Sequence, residues 1–165
     1  MGIMAVAPPP EHSPWSTKPP AQWGGNIDFR HMIAGSTLYL PVFNAGALFY
    51  TGDGHAAQGD GEVSGIAIEC PMERVSLTLD VRDDFPITGP VARTADAWLT
   101  MGLGDTLDEA TFDALESMFA LMGRLHQVSR TDAIALASVV VDLRVTQIVN
   151  RTVGVHAVLR DGALG

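Results

Sequence analysis

Asp53-Gly54-His55 sets a carboxylate and an imidazole two residues apart. In an extended segment both side chains project to the same side. An oxygen and a nitrogen donor there make a pair suited to a divalent metal, zinc in particular. The surrounding stretch, TGDGHAAQGDGEVSGIAIE over 51–69, adds Gln58, Asp60, Glu62 and Glu69 among five glycines. Gly52, Gly54 and Gly59 let a backbone approach closely or take positive φ. A glutamate such as Glu62 beside a bound metal is a natural general base for water. Upstream, Asn26-Ile27-Asp28 offers an amide and a second carboxylate directly after Gly24-Gly25.

Each of these features also has a plainer reading. A Gly/Asp-rich run between strands is what a turn looks like, and spacing alone leaves turn and metal site both open. Asn26-Ile27-Asp28 fits an Asx-turn equally well. No GK[ST] follows the glycines, so a phosphate loop is excluded, and the run lacks the ligand spacing of an EF-hand. There is no G-x-S-x-G and no S-x-x-K, which leaves a serine hydrolase without a nucleophile. His12 and His31 read as surface residues. His126 reads as a cation at a helix C-terminus. His156 reads as a hydrogen-bonded, partly buried strand histidine or as a contributor to a pocket. Cys70, before Pro71, reads as a small packed residue.

The elements that must position these groups are short. Met1–Ala7 reads as a buried strand. Residues 8–25 hold six prolines and form an extended connector, pinned by Trp15 and Trp23. Strands are expected over 37–42, 47–51 and 63–69, near Val91, and over 97–101. Val75-Ser76-Leu77-Thr78-Leu79-Asp80-Val81 alternates apolar and polar residues most cleanly of all. The period then changes. Thr106-Leu107-Asp108-Glu109 is a capping box, followed by Leu115, Met118, Phe119, Met122 and Leu125 at helical spacing. A second, nearly all-apolar helix is expected from Ser129 to Leu143 and on toward Val149, and a last strand over 153–159. The expected fold is mainly β, a sandwich or jelly-roll-like sheet pair with a C-terminal β-α-α-β subdomain, α+β overall. The expected divisions are 1–36 (strand and connector), 37–96 (β-rich core) and 97–165 (subdomain).

Composition limits the function. A hydrophobic fraction of 47% over 165 residues supports a real core and one domain. A net charge of -9 repels phosphate backbones, so nucleic-acid binding is disfavoured. A single cysteine permits no internal disulfide and fits a cytoplasmic chain. No apolar run approaches the ~20 residues of a membrane span.

GDGHAAQGDGEVSGIAIE over 52–69 resembles the signature of the acetamidase/formamidase family. So do GIMAVAP (2–8), GGNIDFR (24–30), TLYLPVFNAGALFYTGDGHAAQGDGE (37–62), SVVVDLRVTQIVN (138–150) and VGVHAVLR (153–160). Leu159-Arg160 departs from the family, which tends to carry a proline near this point. The resemblance implies metal-dependent hydrolysis of short aliphatic amides, formamide and acetamide, to carboxylate and ammonia. It makes Asp53, His55 and Asp28 metal ligands and Glu62 the proton-transfer group. Asn26 and Gln58 would orient the amide or the ligands. It also implies a further β-rich region ahead of Met1, so that the chain resembles the C-terminal half of such an enzyme. Two functions follow. One is an amidase, active alone or through oligomer-shared sites. The other is a truncated or split member, inactive alone. A small-molecule or metal-binding β-domain on the same scaffold is a third reading. A homo-oligomer, or a partner chain supplying the N-terminal half, is expected.

Overall fold

The computed structural model describes residues 1–164. Ten strands and two helices follow one another: β1 Ile3–Ala5, β2 Gly24–Asn26, β3 Thr37–Tyr39, β4 Tyr50–Gly52, β5 His55–Ala57, β6 Ile68–Glu69, β7 Val91–Arg93, β8 Ala97–Gly104, α1 Leu107–His126, α2 Arg130–Val140, β9 Val141–Gln147 and β10 Val153–Arg160. The fold is α+β. Three antiparallel sheets form, in the orders β2-β1-β4, β3-β7-β8-β10-β9 and β5-β6.

The five-stranded sheet is covered on both faces, as alternation along its central strands requires. Val155, Ala157 and Leu159 of β10 join Val91 of β7 in packing against Ala110, Ala114, Met118, Leu121 and Met122 of α1. The other face carries Leu99, Met101 and Val158, and receives Ile27, Phe29 and Met32 from the chain that leaves β2. That second layer carries Asp28 toward the site described below.

α1 begins at the expected capping box, with Thr106 Oγ1 accepting from Glu109 N–H and the Glu109 carboxylate accepting from Thr106 N–H. It lies unusually close to β8. A methyl group placed on Gly102 would stand 2.0 Å from the Ala110 carbonyl oxygen and 2.2 Å from the Ala114 nitrogen. Only glycine on the strand, facing alanines on the helix, permits this approach. Thr100 Oγ1 then donates to the Ala114 carbonyl at 2.8 Å.

Several expectations are corrected. Residues 75–81 form no strand and pair with none of the described residues. Val75, Leu77, Leu79 and Val81 are all exposed there. Alternation prepares a strand only where an edge is available to pair with. The second helix ends at Val140, where the β-branched run Val139-Val140-Val141 passes into β9. The C-terminal unit is therefore β-α-α-β-β. The expected division at 96/97 falls between β7 and β8, adjacent strands of one sheet. The strand expected at 47–51 starts only at Tyr50, because Ala47 and Leu48 take left-handed backbone. Of the strand expected at 63–69, only Ile68–Glu69 pairs. No helix among the described residues is long and apolar enough to cross a membrane.

Gly102→Ala must move α1 away from the sheet, and we expect a loss of about 3 kcal/mol, at the upper end of ordinary overpacking. Gly89→Ala, whose added methyl meets nothing closer than 3.9 Å, is the control. Equal denaturant midpoints for the two variants would contradict the close-approach account.

Candidate functional site

β1 runs between β2 and β4, with Ile3 opposite both Asn26 and Gly52. One residue earlier, Gly2 donates its N–H to the Asp53 carbonyl at 2.7 Å and accepts the Asp28 N–H at 3.1 Å. The two acidic residues are thereby hung on either side of one glycine. A methyl group on Gly2 would stand 2.6 Å from Asp53 Oδ2, 2.7 Å from Asp28 Oδ1 and 2.7 Å from His55 Cε1. The missing side chain of Gly2 is a small cradle lined by three ligand-type groups.

The other elements complete it. β5 and β6 pair His55 with Glu69, so His55 Nε2 lies 3.3 Å from Asp53 Oδ1, 3.3 Å from Glu69 Oε2 and 4.0 Å from Asp28 Oδ1. Glu62 arrives from the loop after β5. Gly61, at φ +92, donates to the Thr146 carbonyl at 3.0 Å and accepts from Ile148 N–H at 3.0 Å. This pins the loop to the end of β9. The cluster is tight. One donor atom each from Asp28, Asp53 and His55 lies within 4.8 Å of the others, and the same holds for His55, Glu62 and Glu69.

Backbone strain is concentrated here. Eight non-glycine residues have positive φ, and four of them are Asp28, Asp53, Glu62 and Asn150. Left-handed backbone is uncommon outside glycine and persists where surrounding contacts enforce it. Asn150 is one such contact, since its Nδ2 donates to Asp28 Oδ2 at 2.5 Å.

The electrostatics are those of acids crowded together. Burial, then the charge of Glu62, push the Asp28 carboxyl from its ordinary 3.8 up to about 7. Burial raises Asp53 and Glu62 as well. Burial opposes the charged form of His55, yet the Gln58 contact and the Asp53, Glu69 and Asp28 charges together raise it. His55 Nδ1 contacts Gln58 Oε1 at 3.0 Å, and Gln58 Nε2 donates to the Asp28 carbonyl at 2.5 Å. With its amide oriented that way Gln58 accepts from Nδ1–H, which leaves the Nε2 lone pair facing the cradle. His55 Nε2 and Asp28 Oδ1 are both buried without a hydrogen-bond partner among the described residues. Two orphaned donor atoms, a carboxylate surplus and a cradle of atomic size fit a divalent cation.

Asp28, Asp53, His55, Gln58 and Glu62 thus lie together in space. Asn26 Oδ1 is buried without a hydrogen-bond partner among the described residues. Sequence reading missed Gly2, Glu69 and Asn150. Glu69 was visible in the 51–69 stretch, but only the irregular β5–β6 register sets it opposite His55. Asp60 turns away from the cradle toward His31 and His156. His31, expected at the surface, is half-buried. His156, expected to be partly buried, is fully so. Neither of two surface concavities, one lined by Pro71–Arg74 and one beside Pro86 and Arg124, is lined by a cradle residue.

The model of the Acetamidase/Formamidase family matches residues 11–153. The chain belongs to that family. An acetamidase of Mycolicibacterium smegmatis is 46% identical over 48 residues, 29% of this chain and 12% of that protein. The crystal structure of an acetamidase from Bacillus halodurans superposes with a TM-score of 0.85 at 30% identity, covering 96% of this chain and 53% of that one. An acetamidase from Yersinia enterocolitica gives 0.88 at 27% identity, covering 99% and 49%. The chain therefore spans about half the length of its solved relatives.

Two outcomes are expected. In metal-free protein, Asp28→Asn should gain stability on wild type as pH rises from about 4 to about 7. Over that window the folded wild type holds a proton that the unfolded chain has released, so the Asp28 contribution falls with pH. His156, held down to about 4 by burial, contributes the opposite slope. That slope is common to both proteins and cancels in the difference. Paired thermal melts in chelator check this. Separately, Gly2→Ala should abolish zinc retention, whereas Gly52→Ala, with nothing within 4 Å of the added methyl, should keep it. Metal analysis after gel filtration decides between them.

Proposed function

We propose that this chain carries the centre of a metal-dependent amidase that hydrolyses short aliphatic amides, formamide and acetamide, to carboxylate and ammonia. The observation that carries the reading is the convergence of Asp53 and the orphaned Asp28 Oδ1 and His55 Nε2 on the cradle above Gly2, with Glu62 beside Asp28. Family membership supports the substrate class. Asp28, Asp53 and His55 would hold the ion, with Glu69 at the open side. Zinc suits this mixed oxygen and nitrogen set. When bound, a divalent ion supplies polarisation of the amide carbonyl and acidification of water.

The protein groups have distinct tasks. Gln58 fixes the His55 tautomer and the Asp28 backbone together. Asn150 holds Asp28 Oδ2, so that Oδ1 faces the cradle. Glu62 is buried, with its pKa raised by that burial. It takes the proton of the attacking water at its carboxylate, then returns it to the departing nitrogen, which leaves as ammonia.

A second reading, a split or truncated member that is inactive alone, is favoured by one observation. Val75, Leu77, Leu79 and Val81 are exposed on a segment with no strand partner among the described residues. A second copy or a further chain would cover them, and closure of the sheets into a sandwich would come with it.

Ammonia release from formamide and acetamide by the 165-residue chain, with and without zinc, separates the readings. Zinc-dependent release that His55→Ala abolishes together with the bound zinc supports the first. Glu62→Gln should keep the zinc and lose turnover by at least about 100-fold, the usual contribution of a positioned acid–base group. Full activity in Glu62→Gln dismisses Glu62. Folded, zinc-loaded protein without any release supports the second.

A further inference from the structure

Beyond the cradle, a second group of ligand-type side chains meets in the layer between Phe29 and β10. His31, Asp60 and His156 each offer one donor atom, and these lie within 4.8 Å of one another. The imidazole centroids of His31 and His156 are 5.2 Å apart, and Phe29 closes one side at 4.8 Å from His156. His156 is fully buried. Its Nε2, His31 Nε2 and Asp60 Oδ1 are all buried without a hydrogen-bond partner among the described residues. Three orphans from three separate segments, gathered at one point, are what a common occupant would satisfy.

We propose that His31, Asp60 and His156 form a second divalent transition-metal site, separate from the cradle that holds His55. Two imidazoles and one carboxylate are a recurring ligand set for zinc and for iron(II), and leave coordination positions open. Each ligand is oriented from behind. His156 Nδ1 contacts Thr146 Oγ1 at 2.8 Å. With Nδ1 donating, Nε2 turns its lone pair toward the other two. Asp60 Oδ2 takes Arg144 at 3.4 Å and Arg30 at 3.6 Å, so Oδ1 is left facing the histidines. Burial lowers the pKa of both histidines, in His156 to about 4, which keeps them neutral and coordinating at pH 7.

The charges facing the site set its selectivity. Asp60 and Asp96 favour a cation at His31, while Arg30 and Arg144 oppose one. With charges of both signs facing it, the site draws its affinity from the two imidazoles. That excludes magnesium and calcium, which require oxygen-rich sites. The carboxylate-rich cradle carries no such restriction.

The two clusters also share their carriers. Residues 28–31 send Asp28 to one and His31 to the other. The loop pinned through Gly61 sends Glu62 to one and Asp60 to the other.

The test is a zinc titration of the chelator-stripped full chain by calorimetry, with folding monitored by circular dichroism. Wild type should bind two equivalents. His55→Ala should retain one, and adding His31→Gln or Asp60→Asn to that variant should remove it. Both of these side chains are only partly buried, so the outcome does not depend on replacing the core residue His156. Thr146→Val should weaken the retained site by about 10- to 100-fold, the usual effect of deleting a group that orients a ligand histidine. Excess magnesium should leave it untouched. A folded His55→Ala protein that binds no zinc overturns the proposal and leaves the three atoms to an ordered water. The amidase reading stands or falls separately, on the equivalent that His55→Ala removes.

Discussion

The backbone of Gly2 is the constraint on which the rest of the site depends. Its N–H and C=O bind the backbones of Asp53 and Asp28, and its absent side chain leaves the space into which both carboxylates and His55 lean. This explains why β1 lies in the middle of its sheet, with β2 and β4 on either side. A central strand is the one position from which a single residue can touch the chain leaving both neighbours. Three residues of β1 thereby hold Gly24–Asn26 beside Tyr50–Gly52, and the proline-rich connector leads from β1 to β2. Trp23 anchors that connector in the interior, with Trp15 edge-on against it at 5.2 Å.

The five-stranded sheet provides the rigidity that a loop-borne site lacks. α1 is seated on it through Gly102. On the opposite face Ile27 and Phe29 sit in the second core, on either side of Asp28. Alternation around Asp28 thus sends two side chains into the core and the carboxylate away from it. β9 contributes the clamp on Gly61. Placement of Glu62 consequently rests on a parallel bridge between Gly61 and Gln147, far apart in sequence. Crowded carboxylates are costly in a buried place, and every one of the cradle's acids except Glu69 is buried or half-buried. The packing beneath them has to hold that arrangement against its own repulsion.

Local signals in the sequence carried the parts of the fold that are locally determined. The capping box at Thr106, the final strand, and the grouping of Asp53, His55, Gln58 and Glu62 were all legible, because each is written in a contiguous string. Residues 75–81 misled because periodicity reports a side chain's preference and not whether a neighbouring edge exists. The α2–β9 junction was hidden by an apolar run that suits a buried helix and a buried strand equally. Asn150 lies 122 positions from Asp28, and nothing local to either residue announces the contact. His31 and His156 were read singly, and a pair of histidines from distant segments becomes visible only when the chain is folded.

Asp28, Asp53, Glu62 and Asn150 all occupy left-handed backbone, where glycine is the residue of least strain. At the three acidic positions a neutral replacement would also relieve charge repulsion. Thermal stability, taken as the sole criterion in a screen of random variants, would therefore enrich for loss of these residues one by one. The survivors would be better-folded proteins with an erased centre. Retention of the four together in a related chain is for that reason a sign of continued selection for what they do, and a thermostabilised derivative should be inspected at these positions first.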